Sequence, residues 1–217
     1  MDPLEDPVKR GRTYDVSGRQ ERTRLSRQRV LREALRLMSS SGYVATTVPQ
    51  VAEGAGVSVE FIYKQMGDKA ALARQVLEFA LVGDDDHLEM RDRPIIQRMI
   101  EERDPFQVTM LYADMAGGIN ARAGAFLVAL AAAAPTNPAV EELSKRAAVS
   151  RRAGARSFVR DVAGKTELSV PVSSAVDGVW ALTSPELHRM LVGERGWSEE
   201  RYTQWLGETL AHALRLA

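Results

Sequence analysis

Few residues of this 217-residue chain stand in arrangements that could carry chemistry. There are no cysteines, which removes disulfides, iron–sulfur clusters, thiolate zinc sites and cysteine nucleophiles together. The three histidines, His87, His188 and His212, are far apart in sequence. Asp84-Asp85-Asp86-His87 holds metal-capable groups. Consecutive helical residues point in different directions, so this run reads as a solvated helix end and no metal is expected. No GxSxG, P-loop or dinucleotide fingerprint occurs, so neither catalysis nor a cofactor is expected. What remains is contact with an anion. Ser58 suits the N-cap of a short helix, whose first N–H groups and positive dipole end would suit a phosphate or a base edge.

Charge supports an anionic partner. The 29 Lys and Arg balance 29 Asp and Glu, so the protein is not basic overall. From Lys9 to Arg36, however, ten basic residues meet only Asp15, Glu21 and Glu33, a local net of +7. From Leu37 onward the net is −4. Either the N-terminal end meets an anion or it is a solvated tail joined to a charged helix face. No run approaches 18 uninterrupted apolar residues and residues 1–18 lack an apolar h-region, so neither a membrane span nor a secretory signal is expected and a cytoplasmic place is.

The elements that must position these groups are helical. Apolar residues recur at steps of three and four, as in Val30, Ala34, Leu37 and Met38, and hairpin alternation is absent. The chain reads as all-α. Residues 1–22 look like a flexible basic arm, and a first helix is expected from Arg24 to Ser40, stopping at Gly42. Thr47 with Gln50 has the form of a capping box, and Pro49 fits a first turn. Gly56, Ser58, Gly67 and Asp68 punctuate two further helices, of which the second covers 69–82 until the acidic run breaks it. Pro94, Asp104-Pro105 and Asn137-Pro138 mark later starts. Gly117-Gly118 is expected to interrupt the segment 105–134. Helices then follow at about 138–163, 172–183, 185–192 and 198–216.

Residues 46–67 have the layout of a helix-turn-helix. Val48 to Ala55 precedes the tight turn Gly56-Val57-Ser58, and Val59 to Met66 follows. Ala52 is small where two helices cross, Gly56 permits positive φ, and Val57 can pack back on the first helix. The second helix is short enough for a major groove.

With these residues the chain resembles the TetR-like transcriptional regulators over about Val30 to Leu72. The resemblance is carried by Thr46-Thr47, Val51-Ala52, Ala55-Gly56-Val57-Ser58, Ile62-Tyr63 and Asp68-Lys69-Ala70-Ala71-Leu72. It extends weakly to Asp177-Gly178-Val179-Trp180, Leu182 to Leu187 and Gly196-Trp197-Ser198. It implies that Tyr63 lays its ring along the DNA backbone, that Lys69 and Thr47 meet phosphates, and that Ser58, Val59, Glu60 and Lys64 lie at the groove. It also implies that the basic arm follows the adjacent minor groove or backbone. Taken singly, Tyr63 would be a half-buried core residue, Lys64 and Lys69 solvated charges, and Thr47 and Ser58 plain caps. Three positions depart from the family pattern. Glu60 stands where glycine is frequent, Pro49 where a basic residue is common, and Met66 where Phe is usual. Glu60 repels phosphates unless it accepts from a cytosine N4.

The sequence thus points to a three-helix head over 23–69 and a helical effector-binding and dimerisation domain over 70–217. Phe106, Met110, Met115, Asn120, Phe126, Phe158, Asp177 and Trp180 are the candidates for an effector pocket taking a small, apolar molecule; stripes of this kind can equally be packed core. The last helix with Trp205, together with 172–183, can form a four-helix bundle across a two-fold axis. The expected function is a homodimeric repressor on a palindromic double-stranded DNA operator, released by that effector. The rivals are an all-α small-molecule enzyme with a vestigial head and a sequence-indifferent architectural DNA binder.

Overall fold

The computed structural model describes residues 16–83 and 92–216. Among them there is no strand. Helix α1, Val16–Ser41, buries Val30, Ala34 and Met38, which follow one another at four-residue steps on one face. It starts eight residues before Arg24. Residues 16–22, expected in the arm, are therefore helical, supported by a 2.9 Å Glu21–Arg24 ion pair one turn apart. The remainder of the arm, including Lys9, Arg10 and Arg12, lies outside the described residues.

Helices α2, Val48–Ala55, α3, Val59–Met66, and α4, Lys69–Val82, complete the head. Their starts are fixed by side chains. Thr47 and Gln50 form the reciprocal capping box of α2, Ser58 accepts from the Phe61 N–H at 3.1 Å, and Asp68 accepts from the Ala71 N–H at 2.8 Å. Each such cap is worth about 1 kcal/mol. Gly56 closes α2 at φ +64°, the left-handed conformation that glycine adopts without strain. Gly83, left-handed as well, ends α4 before the acidic run is reached. Asp84 to His87 lies outside the described residues, and no other group of three metal-capable side chains stands among those described.

The rest of the chain winds around one long helix. Helix α5, Pro94–Glu101, leads into α6, Pro105–Ala133, capped by Asp104 on the Phe106 N–H at 2.9 Å. After a 3₁₀ turn, α7, Pro138–Lys165, is capped by Asn137. Then come α8, Val172–Leu182, the single turn α9, Pro185–His188, running into a π-helical turn Arg189–Glu194, and α10, Glu199–Ala213.

Two expectations change at α6. Gly117-Gly118 does not interrupt it. Gly117 is buried where α10 crosses, and a Cβ there would press on Thr203 Oγ1, so its role is close approach rather than a break. By length and composition the helix over Pro105–Thr136 is also apolar enough to cross a membrane, although Asp114, Asn120 and Arg122 interrupt its apolar residues. Its surroundings are protein: α1, α4, α5, α7, α9 and α10 all pack on it.

Two apolar clusters result. The first joins α1–α4 to the far ends of α6 and α7, through Phe126, Leu130, Ala133 and Val140. Leu72, Ala73, Val76 and Leu77 of α4 belong to it, so the packing of the head continues past residue 69. The second fills the space between α5, α6, α7, α8 and α10 around Tyr112, Phe158, Val179, Tyr202 and Leu206.

Candidate nucleic-acid interface

Helix α3 has two turns and two faces. Ile62 and Met66 are buried against the head core, four residues apart. Glu60, Tyr63 and Lys64 face outward at the same spacing, and Tyr63 is 55% exposed although it is large and aromatic. A tyrosine is normally drawn into the core. Here α3 sets Tyr63 opposite Ile62 and leaves it on the surface beside Lys64. Val59 is half-buried and packs on the core, with only part of its side chain at the surface.

The start of α3 carries Glu60 in its first turn. Its own backbone N–H and the Ser58 hydroxyl hold the Glu60 carboxyl below the usual carboxylate range. The Ser58 oxygen also takes the Phe61 N–H. An acid in the first turn suits the positive end of the helix, where it would compete with a phosphate.

Lys69 opens α4. Its ammonium donates to the Val44 carbonyl at 3.1 Å and lies 4.3 Å from the centre of the Tyr43 ring. Burial holds its pKa below the ordinary lysine value. It thereby ties α4 to the loop that ends in Thr47. Thr47 is exposed, but its hydroxyl donates its one proton to Gln50 Oε1 at 2.9 Å and accepts from the Gln50 N–H, so it donates to a phosphate only by turning away from Gln50.

Sequence reasoning missed one node. Arg27 of α1 donates to the Gln65 carbonyl of α3 at 3.0 Å and to Gln75 Oε1 of α4 at 2.9 Å. Gln75 in turn donates to the Met66 carbonyl at 2.8 Å. The end of α3 is clamped to two helices by side chains that the local sequence shows only as polar. Arg19, Arg22 and Arg32 stay exposed along α1.

Known proteins share this arrangement. Residues 30–76 match the family model described as bacterial regulatory proteins, tetR family. The head is a TetR-family helix-turn-helix domain. The whole chain also has the fold of solved TetR-family regulators. One from Syntrophomonas wolfei superposes with a TM-score of 0.64 at 16% identity, over 88% of this chain and 96% of that one. One from a Rhodococcus species gives 0.64 at 15%, over 88% and 99%. A transcriptional regulator from Saccharomonospora viridis, in complex with choline, gives 0.63 at 17%, over 86% and 95%. No curated protein matches in sequence.

In this TetR-type fold the eight expected pocket residues are not brought together. Phe106 and Met110 line an open groove of about 650 Å³ between α6 and α10, beside Asp114, Gly117, Glu199, Thr203 and Glu208. Phe126 lies in the first cluster, with the head. Phe158 stacks on Tyr112 at 3.9 Å, and Met115 and Trp180 pack on the second cluster, Trp180 under the Arg151 guanidinium. Asn120 is buried and donates to the Thr183 carbonyl at 3.2 Å. Asp177 is exposed and pairs with Arg152 at 2.9 Å. Helical periodicity identified buried side chains without showing which neighbours they face.

Proposed function

We propose that the chain acts in the cytoplasm as a homodimeric repressor that binds a palindromic operator through α3 and is released by a small molecule. The observation that carries the reading is the outward face of α3, where Tyr63 and Lys64 stand exposed on a helix anchored by Ile62 and Met66. In this reading Tyr63 and Thr47 meet phosphates, and Lys64 reaches guanine O6 or N7 or a phosphate. Ser58, Val59 and Glu60 lie at the groove, and Lys69 lends a remaining N–H to the backbone. Exposed Arg19 and Arg22, with the arm before them, follow the neighbouring groove or backbone.

Residues 23–69 form the reading head, and 70–217 carry the effector and the second subunit. A single two-turn helix makes too few contacts for operator affinity, and a two-fold dimer doubles them. The face of α8 and α10 supplies the contact. Ser174, Gly178 and Ala181 are small, and Trp197 and Trp205 stand half-buried at its edge. The α6–α10 groove is the effector site, its volume within the range of small-molecule pockets and its floor set by Phe106 and Met110. A ~100-fold weakening of DNA binding requires about 2.7 kcal/mol of preference for the released form. Helix α4 carries that coupling, because it begins at Lys69 and ends against α6, where Arg122 donates to the Ala80 carbonyl.

Selection of bound sites from random DNA tests the function. A two-fold-symmetric site bound at least about 1,000-fold better than random DNA supports it. Equal affinity for all sequences indicates the architectural binder, and turnover of a groove ligand by pure protein indicates the enzyme.

A further inference from the structure

Helix α7 carries a row of arginines that its own chain neutralises only in part. Arg152, Arg156 and Arg160 follow at four-residue steps on one face, all exposed. Arg152 pairs with Asp177 of α8 at 2.9 Å. Asp161, the acid next to Arg160 in the chain, pairs with Lys165 instead. Arg156 and Arg160 form no ion pair among the described residues. Like charges one turn apart repel, so the row is unfavourable until an anion stands among its members.

Helix α8 sets its start against the two unpaired members. The segment 166–171 turns it back along α7, on which it packs. Asp177 is level with Arg152, and both helices rise equally per residue, so Ser173 is level with Arg156 and the helix start faces the stretch towards Arg160. Val172, Ser173 and Val176 accordingly line one pocket of about 220 Å³ with the three arginines. Pro171 is the N-cap of α8 and provides no side-chain cap. The free N–H groups and positive dipole end of an eleven-residue helix thus open beside two unpaired guanidinium groups, with Ser173 on the pocket wall.

We propose that this pocket is a phosphoryl site that takes a small phosphate monoester as its dianion. A guanidinium fork binds two oxygens at once, so Arg156 and Arg160 together suit a group that presents three oxygens and two charges. A carboxylate, with two oxygens and one charge, leaves one fork unfilled. The volume lies below the roughly 300–1,000 Å³ of pockets for drug-sized ligands, which selects a small ester over a nucleotide. Val172, exposed although apolar, and Val176 give the organic part of the ester an apolar wall. The pocket shares no residue with the α6–α10 groove, so the site is independent of the effector reading above.

Calorimetric titration of the full chain at constant ionic strength tests it, with phenyl phosphate, inorganic phosphate and benzoate as probes. Phenyl phosphate is expected to fill one site per chain. It should bind more tightly than inorganic phosphate, through its ring on the two valines, and at least about tenfold more tightly than benzoate. Its affinity should rise between about pH 5 and 7, as a phosphate monoester loses its second proton near pH 6. Arg156→Gln with Arg160→Gln should weaken it by at least about tenfold. Arg146→Gln, on the same helix but held by Glu142, should leave it unchanged. Ser173→Asp keeps all the arginines and places a carboxylate where the phosphoryl group would lie. It should also weaken phenyl phosphate by at least about tenfold, while an acid in the first turn of α8 favours the fold. A wild type that binds no phenyl phosphate, or binds benzoate as tightly, overturns the assignment. So does unchanged affinity in the double arginine variant or in Ser173→Asp.

Discussion

Lys69 lies over the ring of Tyr43, 4.3 Å from its centre, and its ammonium closes on the Val44 carbonyl at 3.1 Å. One cation thus joins the start of α4 to the loop before α2. Such a group holds the head together and can still lend a proton to a phosphate, because an ammonium has three donors.

Lys69→Ala is therefore expected to act twice. It should lower the stability of the protein by about 1–2 kcal/mol through the lost hydrogen bond and ring contact, measured by denaturant unfolding. It should also reduce the slope of log affinity against log salt by about one phosphate contact. A stability loss with an unchanged slope assigns Lys69 to structure alone.

Glu60→Gln is expected to tighten binding to every DNA sequence tested. The change removes the one carboxylate on the outward face of α3 while leaving an amide oxygen able to turn back on the helix start. Fluorescence anisotropy on operator and random duplexes reads this. Tightening on random DNA combined with loss on operator would instead give Glu60 a base to read.

Arg27→Met removes a guanidinium that serves α3 and α4 together. The Gln65 carbonyl and Gln75 Oε1 lose their donor, so about 1–3 kcal/mol of stability should go. Amide exchange should rise at the end of α3 more than elsewhere. Gly56→Ala separates backbone strain from packing. An added Cβ there meets nothing within 4 Å, so its expected cost of about 1–2 kcal/mol comes from the left-handed backbone alone.

Stability should also fall at alkaline pH. Burial pushes the Tyr202 hydroxyl, which faces Asn120, up to about 12, and burial also raises Tyr112. The folded protein keeps these protons after the unfolded chain has begun to lose them. The resulting stability is complete below pH about 10 and is lost as pH rises through the folded value, at most about 2.7 kcal/mol for Tyr202. Tyr202→Phe should flatten the loss between pH 10 and 12 while changing neutral-pH stability by about 1 kcal/mol or less. Unfolding free energies across this range check it.

Much of the head was legible because its signals are local. Thr47 with Gln50, Ser58 before Phe61, Asp68 before Ala71 and Gly56 in its turn are each decided within a few residues. What was hidden depends on distance. The early start of α1 rests on pairs such as Glu21–Arg24 in a stretch whose polarity resembles a tail. Arg27 and Gln75 are 48 residues apart and look like solvated side chains until three helices meet. Phe126 and Phe158 share the same apolar periodicity, yet one completes the head core and the other stacks on Tyr112.

The most direct measurement compares the wild type with Lys64→Ala and Tyr63→Phe on the selected operator and on random duplex at two salt concentrations. All three proteins should unfold alike, since both side chains are exposed. Both variants should bind the operator at least about tenfold more weakly, a loss of about 1.4 kcal/mol, with Tyr63→Phe losing as much on random DNA. Wild-type affinity in both variants, on both duplexes, would contradict the placement of α3 against DNA.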